Sequence, residues 1–194
     1  MTETARYNAA DTLLLPNLVG ARSGHIAVID DCGSYTYAEL NERVNRFANL
    51  LRGHDIAAGQ RVLLCLEDSI DFPACFLGAM RAGAIPVPLN TLLTAKDYGY
   101  IVADSEATAI VVSAACFAPW TSVCDAAPHL RLWVAGGDQP NSLDRALAGA
   151  ATSQQSASTH RDDIAFWLYT SGTTGMPKGV MHRHGDLEFT ATSY

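Results

Sequence analysis

Residues 164 to 179 run Ile164-Ala165-Phe166-Trp167-Leu168-Tyr169-Thr170-Ser171-Gly172-Thr173-Thr174-Gly175-Met176-Pro177-Lys178-Gly179. The first six are an unbroken apolar run, which predicts a strand buried on both faces. The rest is a loop of small residues. Gly172, Gly175 and Gly179 allow positive φ and let backbone N–H groups come close to an anion. Thr170, Ser171, Thr173 and Thr174 add hydroxyls that can donate to phosphate oxygens or help to hold a magnesium ion, and Lys178 adds one mobile cation. A short second strand around residues 180 to 182 is expected to follow. The loop then sits at the end of a central strand, where α/β proteins place their ligands. The spacing Gly172-x-x-Gly175-x-x-Lys178-Gly179 is not the G-x-x-x-x-G-K-[ST] of a P-loop NTPase, so that family is excluded by register. Taken alone, the stretch also fits a glycine-rich hairpin turn with no ligand.

Upstream, strands and helices alternate. Ile26-Ala27-Val28-Ile29 and Ser34-Tyr35-Thr36-Tyr37 flank a turn and predict a β-ribbon. Thr36 and Glu39 form a capping box for a helix whose Leu40, Val44, Phe47 and Leu51 recur at helical spacing, with Gly53 as its stop. Arg61 to Leu66 reads as a buried strand, residues 69 to 82 as a helix with Gly83 at its end, and Ile85 to Leu89 as a strand. Pro86 and Pro88 restrict that strand to a sheet edge or make it an interrupted one. Thr94 and Asp97 open a third helix through about Ala103, and Ala109 to Val112 form the next strand. Residues 114 to 127 read as helical but broken near Pro119. Leu130 to Val134 is a further strand, and Ser142 to Leu147 a short helix. This rhythm predicts an α/β fold, a mostly parallel sheet flanked by helices with right-handed crossovers. Residues 150 to 160, rich in Ala, Ser, Thr and Gln, are the one linker-like stretch, a surface connection into the loop-bearing strand.

The 194 residues are 48% apolar and 17% charged, which is globular composition. A net charge of −7 argues against nucleic acid or an anionic membrane as partner. The five cysteines include no C-x-x-C, so neither a disulfide framework nor a zinc ribbon is expected. No secretory signal and no apolar run of about 20 residues is visible, and a cytoplasmic protein is expected.

Tyr169 to Gly179 matches in full the form [YF]-[ST]-S-G-[ST]-T-G-x-P-K-G, and with it the chain resembles the adenylate-forming acyl-CoA synthetases. Tyr35-Thr36-Tyr37-Ala38-Glu39-Leu40, Asp71-Phe72-Pro73-Ala74 and Pro86 to Thr94 look, more narrowly, like stretches of benzoate-CoA ligases. The resemblance implies that residues 1–194 are the N-terminal portion of the AMP-binding large domain. It implies that Thr170, Ser171, Gly172, Thr173, Thr174, Gly175 and Lys178 grip the β- and γ-phosphates of ATP while a carboxylate attacks the α-phosphate. It further implies ATP, Mg2+ and coenzyme A as cofactors and an aromatic carboxylate as substrate.

Members of that family continue through an acyl pocket and a mobile C-terminal domain carrying the adenylation lysine, so neither a catalytic residue nor a metal ligand is assigned in these 194 residues. The helix expected from about Asp186 reaches Tyr194 without a C-cap, as a truncation would. The chain alone is expected to be inactive and, with one side of its sheet uncovered, to self-associate. The alternatives are a fatty-acyl or amino-acid adenylating enzyme and a non-catalytic nucleotide-binding or interaction module. Three further features read as scaffold. His182 and His184 share a strand face without a third metal ligand, Glu67 and Asp68 cap the second helix, and Trp167 and Tyr169 are core aromatics.

Overall fold

The computed structural model describes residues 6–170 and 175–193. A first helix, α1 (Ala9–Leu14), leads into the ribbon β1 (Ile26–Asp30) and β2 (Gly33–Thr36), which are antiparallel. Then follow α2 (Tyr37–Gly53), β3 (Arg61–Cys65), α3 (Asp71–Ala82), β4 (Ile85–Pro88) and α4 (Ala95–Ser105). Next come β5 (Ala109–Ser113), α5 (Trp120–Ala126), β6 (Arg131–Ala135) and α6 (Leu143–Ala148). The hairpin β7 (Ile164–Thr170) and β8 (Lys178–Arg183) and the helix α7 (His184–Ser193) end the described chain.

The sheet is four-stranded, in the order β4-β3-β5-β6, and parallel throughout. Alternation along each strand sends side chains to opposite faces. Val62, Leu64 and Val111 meet α2 and α3 through Phe47, Leu51, Cys75 and Ala79. Leu63, Cys65, Ile110 and Val112 meet α4 and α5 through Tyr98, Ile101 and Trp120. Both faces are covered, which is why these strands are continuous apolar runs. The two prolines of β4 are at the edge, as their missing N–H groups require.

Both predicted capping boxes form, Thr36 with Glu39 and Thr94 with Asp97. The N-terminus of α3 is built differently from expectation. Glu67 and Asp68 are exposed, and the start of the helix is held by Ser69 Oγ, which accepts from Asp71 N–H at 3.3 Å. The Ile70 N–H donates to Asp30 Oδ2 at 3.0 Å, from the turn of the β1–β2 ribbon. That bond leads the causes that hold the Asp30 carboxyl below its ordinary range.

The largest departure concerns β7. It is not a central strand of the parallel sheet and is not buried on both faces. It pairs antiparallel with β8 in a separate two-stranded sheet that contacts the β4 edge, and only Ala165 and Phe166 are buried. The aromatics of the run divide between two clusters, Phe166 against Phe76 of α3 and Trp167 and Tyr169 against the side of the sheet that α4 covers, while Leu168 is exposed. Residues 150 to 160 contain no helix or strand, but their carbonyls are bonded to α2. Arg46 Nη1 donates to Ala150 O, Asn49 Nδ2 to Ala151 O and Ser153 O, and Arg52 Nη2 to Gln155 O at 2.6 Å.

Candidate phosphate-binding site

In the β7–β8 register Thr170 stands opposite Lys178, Tyr169 opposite Gly179, and Leu168 opposite Val180. Opposed residues share a face, so Thr170 and Lys178 lie side by side at the open end of the hairpin. Both are exposed, and Lys178 makes no ion pair among the described residues. Gly175 is exposed as well, and a Cβ there would meet nothing within 4 Å. One hydroxyl, one unpaired ammonium and one accessible stretch of backbone therefore surround the turn, a combination suited to an anion. Of the expected site residues, Thr170, Gly175 and Lys178 are placed in this way. Ser171, Gly172, Thr173 and Thr174 lie outside the described residues.

The opposite face of the hairpin fixes its position. The Trp167 ring lies under the guanidinium of Arg61, 5.7 Å from its centroid. Tyr169 Oη donates to Asp104 Oδ2 at 2.6 Å. A Cβ on Gly179 would stand 3.2 Å from Trp167 Cε3 and 3.4 Å from Tyr169 Cζ, so the absence of a side chain there leaves room for both rings. Burial first, and the Asp104 carboxylate second, push the Tyr169 phenol well above its ordinary range, which keeps it a donor at neutral pH. No local sequence pattern points to Asp104 or Arg61 as partners of the loop. Asp104 is 65 positions from Tyr169 and the contact exists only after folding.

His182 and His184 do not share a strand face. His182 stacks on Phe166, centroids 4.6 Å apart, while His184 opens α7, is buried, and accepts from Ala9 N–H. Among the described residues no group of three metal-ligating side chains comes together. The concavities among the described residues lie away from the loop, and two of them bear on the site. One, of about 430 Å³ at the carboxyl ends of β3, β5 and β6, is lined by Asp30, Asp31, Glu67, Asp68 and Asp71 and would repel a phosphate. The other, of about 470 Å³, lies between α4 and α5 and is mainly apolar.

The model of the AMP-binding enzyme family matches residues 18–194. The chain is 47% identical over 191 residues to a benzoate–CoA ligase of Thauera aromatica, covering 97% of this chain and 36% of that protein. It is 42% identical to a 4-hydroxybenzoate–CoA/benzoate–CoA ligase of Rhodopseudomonas palustris, covering 92% and 34%. Among solved structures, a benzoate CoA ligase from Burkholderia xenovorans superposes with a TM-score of 0.88 at 39% identity, covering 97% of this chain and 37% of that one. An anthranilate CoA ligase in complex with anthranoyl-AMP gives a TM-score of 0.89 at 31% identity, covering 96% and 36%. The chain thus spans about a third of the length of these relatives. The fold of the parallel sheet with its appended hairpin, the signature loop and the match over residues 18–194 converge, and the chain belongs to the AMP-binding enzyme family, with relatives that are CoA ligases.

Proposed function

We propose that these residues supply the phosphate-binding part of an ATP-dependent ligase that activates an aromatic carboxylate as its acyl-adenylate and transfers the acyl group to the thiol of coenzyme A. The observation that carries the proposal is the pairing of Thr170 and Lys178 across the mouth of the signature loop, with Lys178 unpaired by any carboxylate among the described residues. Thr170, Ser171, Gly172, Thr173, Thr174, Gly175 and Lys178 would hold the β- and γ-phosphates, the leaving pyrophosphate of the first step. Magnesium is expected to arrive with the nucleotide, its ligands chiefly phosphate oxygens and water. The names of the relatives, benzoate and hydroxybenzoate CoA ligases, support an aromatic acid as substrate. The net charge of −7 supports a small-molecule partner over nucleic acid or an anionic membrane.

Holding a leaving group without orienting the nucleophile stabilises little of a transition state. The 194-residue chain is therefore expected to show no benzoate-dependent exchange between pyrophosphate and ATP above a Lys178→Ala control. In the full-length ligase, Lys178→Ala removes a charge-assisted contact of about 1.5–3 kcal/mol, or roughly ten- to a hundredfold in ATP-dependent pyrophosphate release. An unchanged rate would remove Lys178 from the site.

A further inference from the structure

We infer that Asp104 is a positioning residue for the phosphate loop, acting through the hydroxyl of Tyr169; the inference rests on reading that loop as the ATP site. A two-stranded hairpin has little stability of its own, so what it packs against decides where its tip stands. At the end nearest the loop the hairpin has two polar anchors among the described residues, Arg61 over Trp167 and Asp104 on Tyr169. Tyr169 is the more consequential of the two, because Thr170 follows it directly and Gly179, opposite it in register, adjoins Lys178. Its hydroxyl reaches the last turn of α4 and donates to Asp104 Oδ2 at 2.6 Å, a length typical of a charge-assisted O–H···O⁻ bond. Asp104 Oδ1 accepts more weakly from Tyr100 Oη at 3.4 Å, so the carboxylate is held from its own helix while it holds the hairpin.

Both flanks of the loop are thereby referred to α4, a helix docked on the parallel sheet through Tyr98, Ile101 and Val102. Releasing the phenol would leave the rings packed but free the hairpin tip to shift, and misplacement by about 1 Å costs on the order of a hundredfold where phosphate geometry matters. The contact lies on the face of β7 opposite to Thr170, so Asp104 itself does not face the proposed ligand.

The test is steady-state kinetics on the full-length ligase with benzoate and MgATP. Tyr169→Phe and Asp104→Ala are each expected to raise the KM for ATP about five- to tenfold, with the KM for benzoate unchanged. The double variant should be no worse than either single one, because both remove the same bond. Asp104→Asn, whose amide oxygen still accepts from the phenol, should recover most of the loss. Gly78→Ala, which perturbs packing far from the loop, serves as the stability control and should leave the KM for ATP as it is. A KM for ATP in Tyr169→Phe and Asp104→Ala equal to that of the unaltered enzyme, while Lys178→Ala still raises it, would overturn the positioning role and leave the loop assignment standing. Effects that add in the double variant, or that Gly78→Ala reproduces, would also overturn it. If Lys178→Ala has no effect, the loop assignment fails and this inference fails with it.

Discussion

The backbone N–H of Ala9 donates to Nδ1 of His184 at 3.1 Å, joining the first turn of α1 to the first residue of α7 across 175 positions. The bond requires Nδ1 to be unprotonated, so the imidazole is neutral with its proton on Nε2. Burial depresses its pKa below the ordinary 6.5, with the Asp163 carboxylate opposing weakly.

A lowered folded-state pKa means that the unfolded chain binds the proton more readily. The stability contributed by neutral His184 is fully present above about pH 6.5 and is lost as the pH falls through the depressed folded value. Urea midpoints should fall between pH 6.5 and 5 in the native sequence and fall less in His184→Ala. That variant should also be about 1–3 kcal/mol less stable at pH 8, because it orphans a buried N–H. Parallel pH profiles for the two proteins would disprove the assignment.

Arg81 is fully buried and its only anionic partner among the described residues is Asp11, at 3.0 Å from Nε; Asn41 and Asn45 accept from Nη1 at 2.8 and 2.7 Å. Asp11→Ala leaves a guanidinium in the core with neutral partners and is expected to cost roughly 3 kcal/mol. Because the group is shielded from solvent, the loss should be nearly the same at 0.1 and 1 M NaCl, to within about 0.5 kcal/mol. A strongly salt-dependent loss in denaturant titrations would mean that the pair behaves as a surface contact.

Gly78 and Gly99 both lie within helices and make opposite predictions. A Cβ on Gly78 would stand 2.9 Å from Val44 O and 3.1 Å from the Phe47 side chain, at the α2–α3 crossing, so Gly78→Ala is expected to destabilise by about 1–3 kcal/mol. Gly99 in α4 has open space, and Gly99→Ala should stabilise by about 0.5–1 kcal/mol through helix propensity. Thermal midpoints moving the same way in both variants would contradict the packing account.

Residues 150 to 160 have the composition of a flexible linker, yet their carbonyls accept hydrogen bonds from Arg46, Asn49 and Arg52, and Ala157 N–H donates to Arg81 O at 2.8 Å. Limited proteolysis should therefore spare this segment in the native chain. It should cut there in an Asn49→Ala/Arg52→Ala double variant. Rapid cleavage of the unaltered protein between residues 150 and 157, with the remainder intact, would show that these bonds do not restrain it.

Local patterns in the chain determine most of the scaffold. Capping boxes at Thr36 and Thr94, the Gly83 terminator with φ +84°, and continuous apolar strands at 61–65 and 109–113 are short-range signals, and each element appears where they place it. The motif of residues 169 to 179 is read from consecutive residues alone, and of the site residues proposed from it the structure places Thr170, Gly175 and Lys178. Tertiary structure alone decided three things. The run Ile164 to Tyr169 became half of an antiparallel hairpin with Leu168 left exposed, since an apolar run does not say which neighbours will cover it. The start of α3 was held by Asp30 and Ser69 rather than by Glu67 or Asp68, because Asp30 comes within 3.0 Å of Ile70 only through the ribbon turn. And β7 met Asp104 and Arg61, residues distant in sequence whose ordinary solvated character gives no hint of the partner they meet once α4 and the hairpin are brought together by burial of the side chains between them.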